Sequence, residues 1–127
     1  MLLDQPAPRL QAYARETVIA EKFQAMVMLG RANTRLKDFY DIWVLSTSYD
    51  FAGGRLARAI SATFERRKTA LPTVLPDALT STFAQDPAKR QQWEALLRDI
   101  SGQAPSLEEV VRDLAAFLMP HVGQARG

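Results

Sequence analysis

Residues 21–43 read EKFQAMVMLGRANTRLKDFYDIW, two apolar patterns separated by a short polar connector. On the N-terminal side Ile19, Phe23, Met26 and Val27 recur at i, i+4, i+7 and i+8, the spacing that lines one face of a helix. Gly30 stands where a left-handed cap would end that helix. On the C-terminal side Phe39, Ile42, Trp43 and Leu45 form a second stripe, with Thr34 as its expected N-cap. The pattern predicts helices over 16–29 and 35–47. With so few residues between them, they are expected to pack as an antiparallel hairpin.

Further along, Gly53 and Gly54 interrupt the pattern, and Leu56, Ala59, Ile60, Thr63 and Phe64 predict a third helix over 55–67. ALPTVLPDAL, residues 70–79, reads as a surface loop, with Asp77 expected to cap a short helix that runs through Phe83. Asp86 followed by Pro87 is an N-cap with proline at the first helical position; it opens a helix through Trp93, Leu96, Leu97 and Ile100 that Gly102 ends. Ser106 and Glu109 form a capping box for a last helix, 107–119, which Pro120 is expected to stop. Before the first helix, Pro6 and Pro8 predict an extended or irregular lead-in over 1–15, with Met1–Leu3 as a candidate strand stub. No alternating strand of useful length is found. The expected class is all-α, a single domain of five or six helices beginning with the hairpin.

A chain of 127 residues suits one hydrophobic core and is short for two. Sixteen Lys and Arg against fourteen Asp and Glu give a net charge of +2, too balanced to argue for nucleic acid by charge alone. The absence of cysteine excludes disulfides and thiolate metal sites. The longest apolar runs, such as Ile42–Leu45, fall far short of the roughly 20 residues of a membrane span. The start MLLDQPAPRL is not a basic segment followed by an apolar one, so it does not read as a signal peptide. A cytoplasmic protein with no membrane partner is the expectation.

The hairpin also carries the chemistry. Lys22 lies one turn from Val18 and from Met26, at the margin of the buried stripe, while Asp38 and Asp41 share one face of the next helix. Packed side by side, the two helices would bring one ammonium and two carboxylates to a single rim. Such a lysine neutralises phosphate oxygens, and such a carboxylate takes a proton from an attacking hydroxyl or orients a cation. Spacing alone leaves a structural reading open: a Lys37–Asp41 surface pair at i, i+4, an Asp38 that favours the helix N-terminus, and a Lys22 that snorkels. Arg66 and Arg67 end the third helix, where cations suit the dipole; RNA or phosphate contact is the other reading. His121 reads as a tail residue, and Lys89 with Arg90 as a solvated face. There is no Walker loop, nucleophile elbow or HExxH, and no two acidic residues are separated by a single intervening residue.

The run RETVIAEKFQAMVMLGRANTRLKDFYDIWVLS, then DF, then ATFERR with LP shortly after, resembles the C-terminal half of the AbiEii/AbiGii-type nucleotidyltransferase toxins. The likeness extends through FAQDP, QW and the final helix. It implies a nucleotidyltransferase that uses an NTP and a divalent metal such as Mg²⁺, with tRNA or another acceptor, and an antitoxin as partner. It also implies that Lys22 contacts NTP phosphates and that the motif aspartate is Asp38 or, second, Asp41. The family's Gly-Ser loop and Asp-x-Asp metal pair have no counterpart in these residues. The expectation is a helical C-terminal portion that lacks the catalytic lobe, binds no cofactor alone and is inactive alone. The alternative is a non-enzymatic module that binds an antitoxin or self-associates as a homodimer. A third reading is direct RNA binding through Arg55, Arg58, Arg66, Arg67 and Lys68.

Overall fold

The computed structural model describes residues 7–127, with side chains from Arg15 onward. Among the described residues the protein is all-α: α1 Ala7–Leu29, α2 Leu36–Ser48, α3 Arg55–Arg66, α4 Ser81–Gln85, α5 Pro87–Asp99 and α6 Leu107–Arg126, with single 3₁₀ turns at Gly30–Ala32 and Asp77–Leu79. Helix α1 is longer than its apolar pattern predicts and takes in most of the expected lead-in. Pro8 falls in its first turn, where a missing N–H has no intrahelical partner to lose. Met1–Leu3, the candidate strand stub, lie outside the described residues.

One core joins the elements. Ile19, Phe23 and Met26 of α1 are buried together with Phe39 and Ile42 of α2, Leu56, Ile60 and Phe64 of α3, Trp93 of α5, and Val110, Leu114, Leu118 and Val122 of α6. Burying each large apolar side chain of this kind contributes about 1.5–3 kcal/mol. Helix α1 packs mainly on α3 and also on α2, while α6 lies against α3, α2 and α4. Phe23 meets Phe64 at 5.5 Å, and Phe39 stacks on Phe83 at 5.4 Å, so rings bridge α1 to α3 and α2 to α4.

The helix ends show which local signals act. Gly30 has φ +55, as its cap position requires, and the chain turns back through Asn33. Thr34 is not the cap of α2. The N-cap position falls to Arg35, with no side-chain cap bond; the buried Asn33 instead closes the connector, its Oδ1 accepting from the Arg35 N–H at 2.7 Å, while Thr34 faces solvent. Asp77 does not cap α4 either; Thr80 Oγ1 accepts from the Phe83 N–H at 3.3 Å, and Asp77 only opens the 3₁₀ turn. Asp86 and Ser106 cap α5 and α6 as predicted, with bonds of 2.9 and 3.2 Å. Helix α5 closes through Ser101 at φ 50, and the Gly102 N–H returns to the Leu97 carbonyl at 2.9 Å. Space at Gly102 is tight: a Cβ there would sit 2.9 Å from Tyr40 Oη, so the tyrosine would have to shift.

Three further expectations are corrected. Pro120 does not stop α6, which runs on to Arg126 because Leu118 and Val122 on either side of it are fully buried. Their packing outweighs the roughly 3 kcal/mol an interior proline costs. His121 is therefore not a tail residue: it is half-buried in α6, its ring 5.4 Å from Phe117, and burial pushes its pKa below the ordinary value. Lys89 is also not on a solvated face. It is 8 % exposed, donates to the Asn33 carbonyl at 2.5 Å and lies over the Phe83 ring, so it ties α5 to the connector between α1 and α2.

Candidate functional site

Because the chain doubles back at Gly30–Arg35, the middle of α1 meets the first two turns of α2. Lys22 Nζ is 3.1 Å from Asp38 Oδ1, which accepts a hydrogen bond from it, and 3.1 Å from Asp41 Oδ2. The three charged residues of the apolar hairpin therefore share one rim. Lys37 also donates to Asp41 Oδ1 at 2.6 Å, so the expected i, i+4 pair forms as part of this cluster.

The two carboxylates differ in setting. The Asp38 side chain is 6 % exposed and that of Asp41 is 23 %. Asp38 Oδ2 lies 3.1 Å from Arg35 Nε, near enough for ion pairing but off the line of a hydrogen bond, which leaves that oxygen buried without a donor. Burial alone would pull the Lys22 ammonium below its ordinary value, but its hydrogen bonds and the charges of Asp38 and Asp41 outweigh this and hold its pKa raised. Lys22 is thus kept cationic and aimed.

Arg66 and Arg67 come to the neighbouring turn of the same helix. Arg67 gives Nε and a terminal nitrogen to Glu21 Oε1 at 2.7 and 2.6 Å, and Arg66 pairs with Glu21 Oε2. The consecutive residues Glu21 and Lys22 thereby bind the ends of two separate elements, α3 and α2. An open cleft of about 320 Å³ lies here, lined in part by Glu21, Lys22, Gln24, Arg35 and Arg67. Arg55, further along α3, pairs with the buried Glu16 at 3.5 Å. Three of the five cations named for an RNA-binding face thus have glutamate partners on α1.

Glu21, Arg35 and Glu16 carry no role in the sequence reading. Glu21 and Glu16 lie five residues apart on α1, near the buried stripe like Lys22, and that placement was the available signal. Arg35 gave none, because its importance comes from the turn at Asn33.

The family model described as nucleotidyl transferase AbiEii toxin, type IV TA system, matches residues 1–119. The chain belongs to the AbiEii family. No curated protein and no solved structure matches it. AbiEii membership suggests a function related to toxin nucleotidyltransferases and an antitoxin as partner. Segments that carry the resemblance, EK, KDFYD and FERR, are joined by ion pairs, Lys22 to Asp38 and Asp41 and Glu21 to Arg66 and Arg67. Among the described residues no helix is long and apolar enough to cross a membrane.

Proposed function

We propose that this AbiEii chain forms the phosphate-binding side of a nucleotidyltransferase site, with Lys22 contacting the NTP and Asp38 and Asp41 setting its position and proton balance. The observation that carries the reading is the Lys22 ammonium held 3.1 Å from each of two carboxylates at the edge of an open cleft. In the transfer, an acceptor oxygen attacks the α-phosphorus and the bond from that phosphorus to the bridging oxygen breaks. The electron pair leaves with pyrophosphate. Asp38, nearly buried, anchors Lys22. Asp41, the more exposed of the two, receives the acceptor's proton: as the phosphate draws Lys22 toward itself, Asp41 loses a counter-ion and becomes a better acceptor.

The residues present do not fit Mg²⁺. Among the described residues no group of three His, Cys, Asp or Glu can hold a metal. Asp38 and Asp41 are already clasped by Lys22, Arg35 and Lys37, a surplus of cation that suits an anion. A divalent metal for such a reaction would therefore need ligands other than the described residues, and the 127 residues alone are expected to transfer no nucleotide to tRNA.

Amide NMR of the chain titrated with an NTP tests this. Shifts centred on Lys22, Asp38 and Asp41 that vanish in K22M support it; shifts elsewhere, or shifts that K22M leaves intact, would remove Lys22 from the site. A second reading, a non-enzymatic module that binds an antitoxin, is favoured by the exposed apolar residues Met28 (64 %) and Val74 (73 %). Under it, polar substitutions at these two positions weaken antitoxin binding and leave NTP shifts unchanged.

A further inference from the structure

Lys89 stands where neither helix preference nor packing asks for a lysine. Asp86 caps α5 and Pro87 opens it, so Lys89 falls in the first turn, where a cation opposes the helix dipole. The residue is nevertheless only 8 % exposed, and no carboxylate pairs with it among the described residues. Taking an ammonium out of water without a counter-ion is costly, and an apolar side chain would fill the space over the Phe83 ring without that cost. What a lysine adds is a donor that reaches the connector between α1 and α2.

That donor begins an unbroken run of hydrogen bonds into the site. Lys89 Nζ donates to the Asn33 carbonyl at 2.5 Å, and Asn33 Oδ1 accepts from the Arg35 N–H at 2.7 Å. The Arg35 carbonyl accepts from the Asp38 N–H at 3.1 Å, and Asp38 Oδ1 accepts from Lys22 Nζ at 3.1 Å. Asn33, 1 % exposed, works in both directions: its backbone meets α5, and its side chain fixes the residue from which α2 starts. The far end of the run is anchored too, since Trp93, one turn beyond Lys89, is buried and donates to the Pro105 carbonyl at 3.1 Å. A helix turns about 100° per residue, so a start displaced by one residue would carry Asp38 away from Lys22.

We infer that Lys89 is a positioning residue for the Lys22 site: by holding the Asn33 carbonyl it fixes the start of α2, and with it the contact of Asp38 with Lys22. Its bearing on NTP binding rests on the reading of Lys22 above, and it extends that reading to α5, an element with no side chain in the lining of the cleft. With the connector already held from α5, NTP binding does not have to order it first.

Hydrogen exchange and NTP titration, both read by NMR on the 127-residue chain, test this with K89M, K89R, K22M and the α6 core variant V122A. K89M keeps the length of the side chain and removes the donor, whereas K89R keeps a cationic donor. K89M is expected to speed exchange of the Arg35 and Asp38 amides about tenfold more than exchange of the buried Leu114 and Leu118 amides, and to weaken NTP binding about tenfold. It should also move the resonances of the Asn33 carbonyl carbon and of Lys22 Nζ. K89R recovers most of each change. V122A speeds exchange at Leu114 and Leu118 at least as much as at Arg35 and Asp38 and leaves NTP binding unchanged. Even acceleration at all four amides in K89M, or a K89R that behaves as K89M does, would reduce Lys89 to packing and overturn the inference. NTP binding that K89M leaves intact while K22M abolishes it would also overturn the inference and keep the reading of Lys22. Absence of NTP binding to the parent overturns the reading of Lys22 alone; the exchange pattern and the Lys22 Nζ resonance then still decide whether Lys89 sets the Lys22–Asp38 contact. Should K89M fail to fold, K89Q, shorter and uncharged, is read by the same criteria.

Discussion

Lys22 illustrates how burial decides the sign of a substitution. Methionine in place of Lys22 would fill the same groove along the helix edge, which on packing alone makes K22M near neutral. The ion pair decides otherwise, because the Asp38 side chain is 6 % exposed and K22M strips its Oδ1 of the lysine donor. K22M should therefore lower stability at neutral pH by about 1–2 kcal/mol, and K22M combined with D38N should recover part of that loss. Urea unfolding of the two variants measures both; equal stability of K22M and the parent would show that the pair contributes nothing net. The raised pKa of Lys22 also fixes a pH window. A cation whose folded pKa lies above its unfolded value stabilises fully below the unfolded value, about 10.5, and loses that contribution as pH rises through the folded one. The alkaline decline in stability should accordingly be shallower in K22M than in the parent.

The helices themselves were largely legible, because each carries a periodic apolar face: α2, α3 and α5 lie within two residues of their predicted bounds. Their ends were less so. Thr34 is a good capping type, yet α2 begins without a side-chain cap, because the buried Asn33 turns the connector so that Arg35 stands at the N-cap position. Pro120 misled for a related reason: a local rule against proline yields when the residues around it are fully buried. That conflict makes a prediction for α6. Pro120 is exposed and its ring fills no core space, so Pro120→Ala restores a backbone donor and should raise stability by about 1–3 kcal/mol. Chemical denaturation measures it, and an unchanged midpoint would mean that α6 already relaxes the proline's cost by bending. Of the candidate site, the alignment of Lys22 with Asp38 and Asp41 followed from a short connector. The junction of Glu21 with Arg66 and Arg67 did not, because it depends on how α3 returns to α1 across residues that carry no periodic signal.

A single core spanning all six helices implies that α1 and α6 do not unfold separately. Phe39→Ala, at a ring that is fully buried and stacked on Phe83, should cost about 3–5 kcal/mol and lower the one transition as a whole. Helical circular dichroism and tryptophan fluorescence should report the same midpoint, and two separate midpoints would contradict a common core. Trp43 and Trp93 make this comparison direct, since the indole of Trp43 bonds Asp113 of α6 at 3.3 Å and that of Trp93 bonds the Pro105 carbonyl at 3.1 Å. The cleft has a thermodynamic consequence as well. Its cations belong to residues 22, 35 and 67, which only the native packing gathers, so a denatured chain offers a polyanion no comparable target. Binding and folding are then linked by mass action: an NTP at about a hundred times its dissociation constant should add roughly 2.7 kcal/mol to the unfolding free energy. The melting temperature then becomes a titration curve, one in which added sodium chloride, by competing for the same cations, shifts the whole curve toward higher ligand concentration.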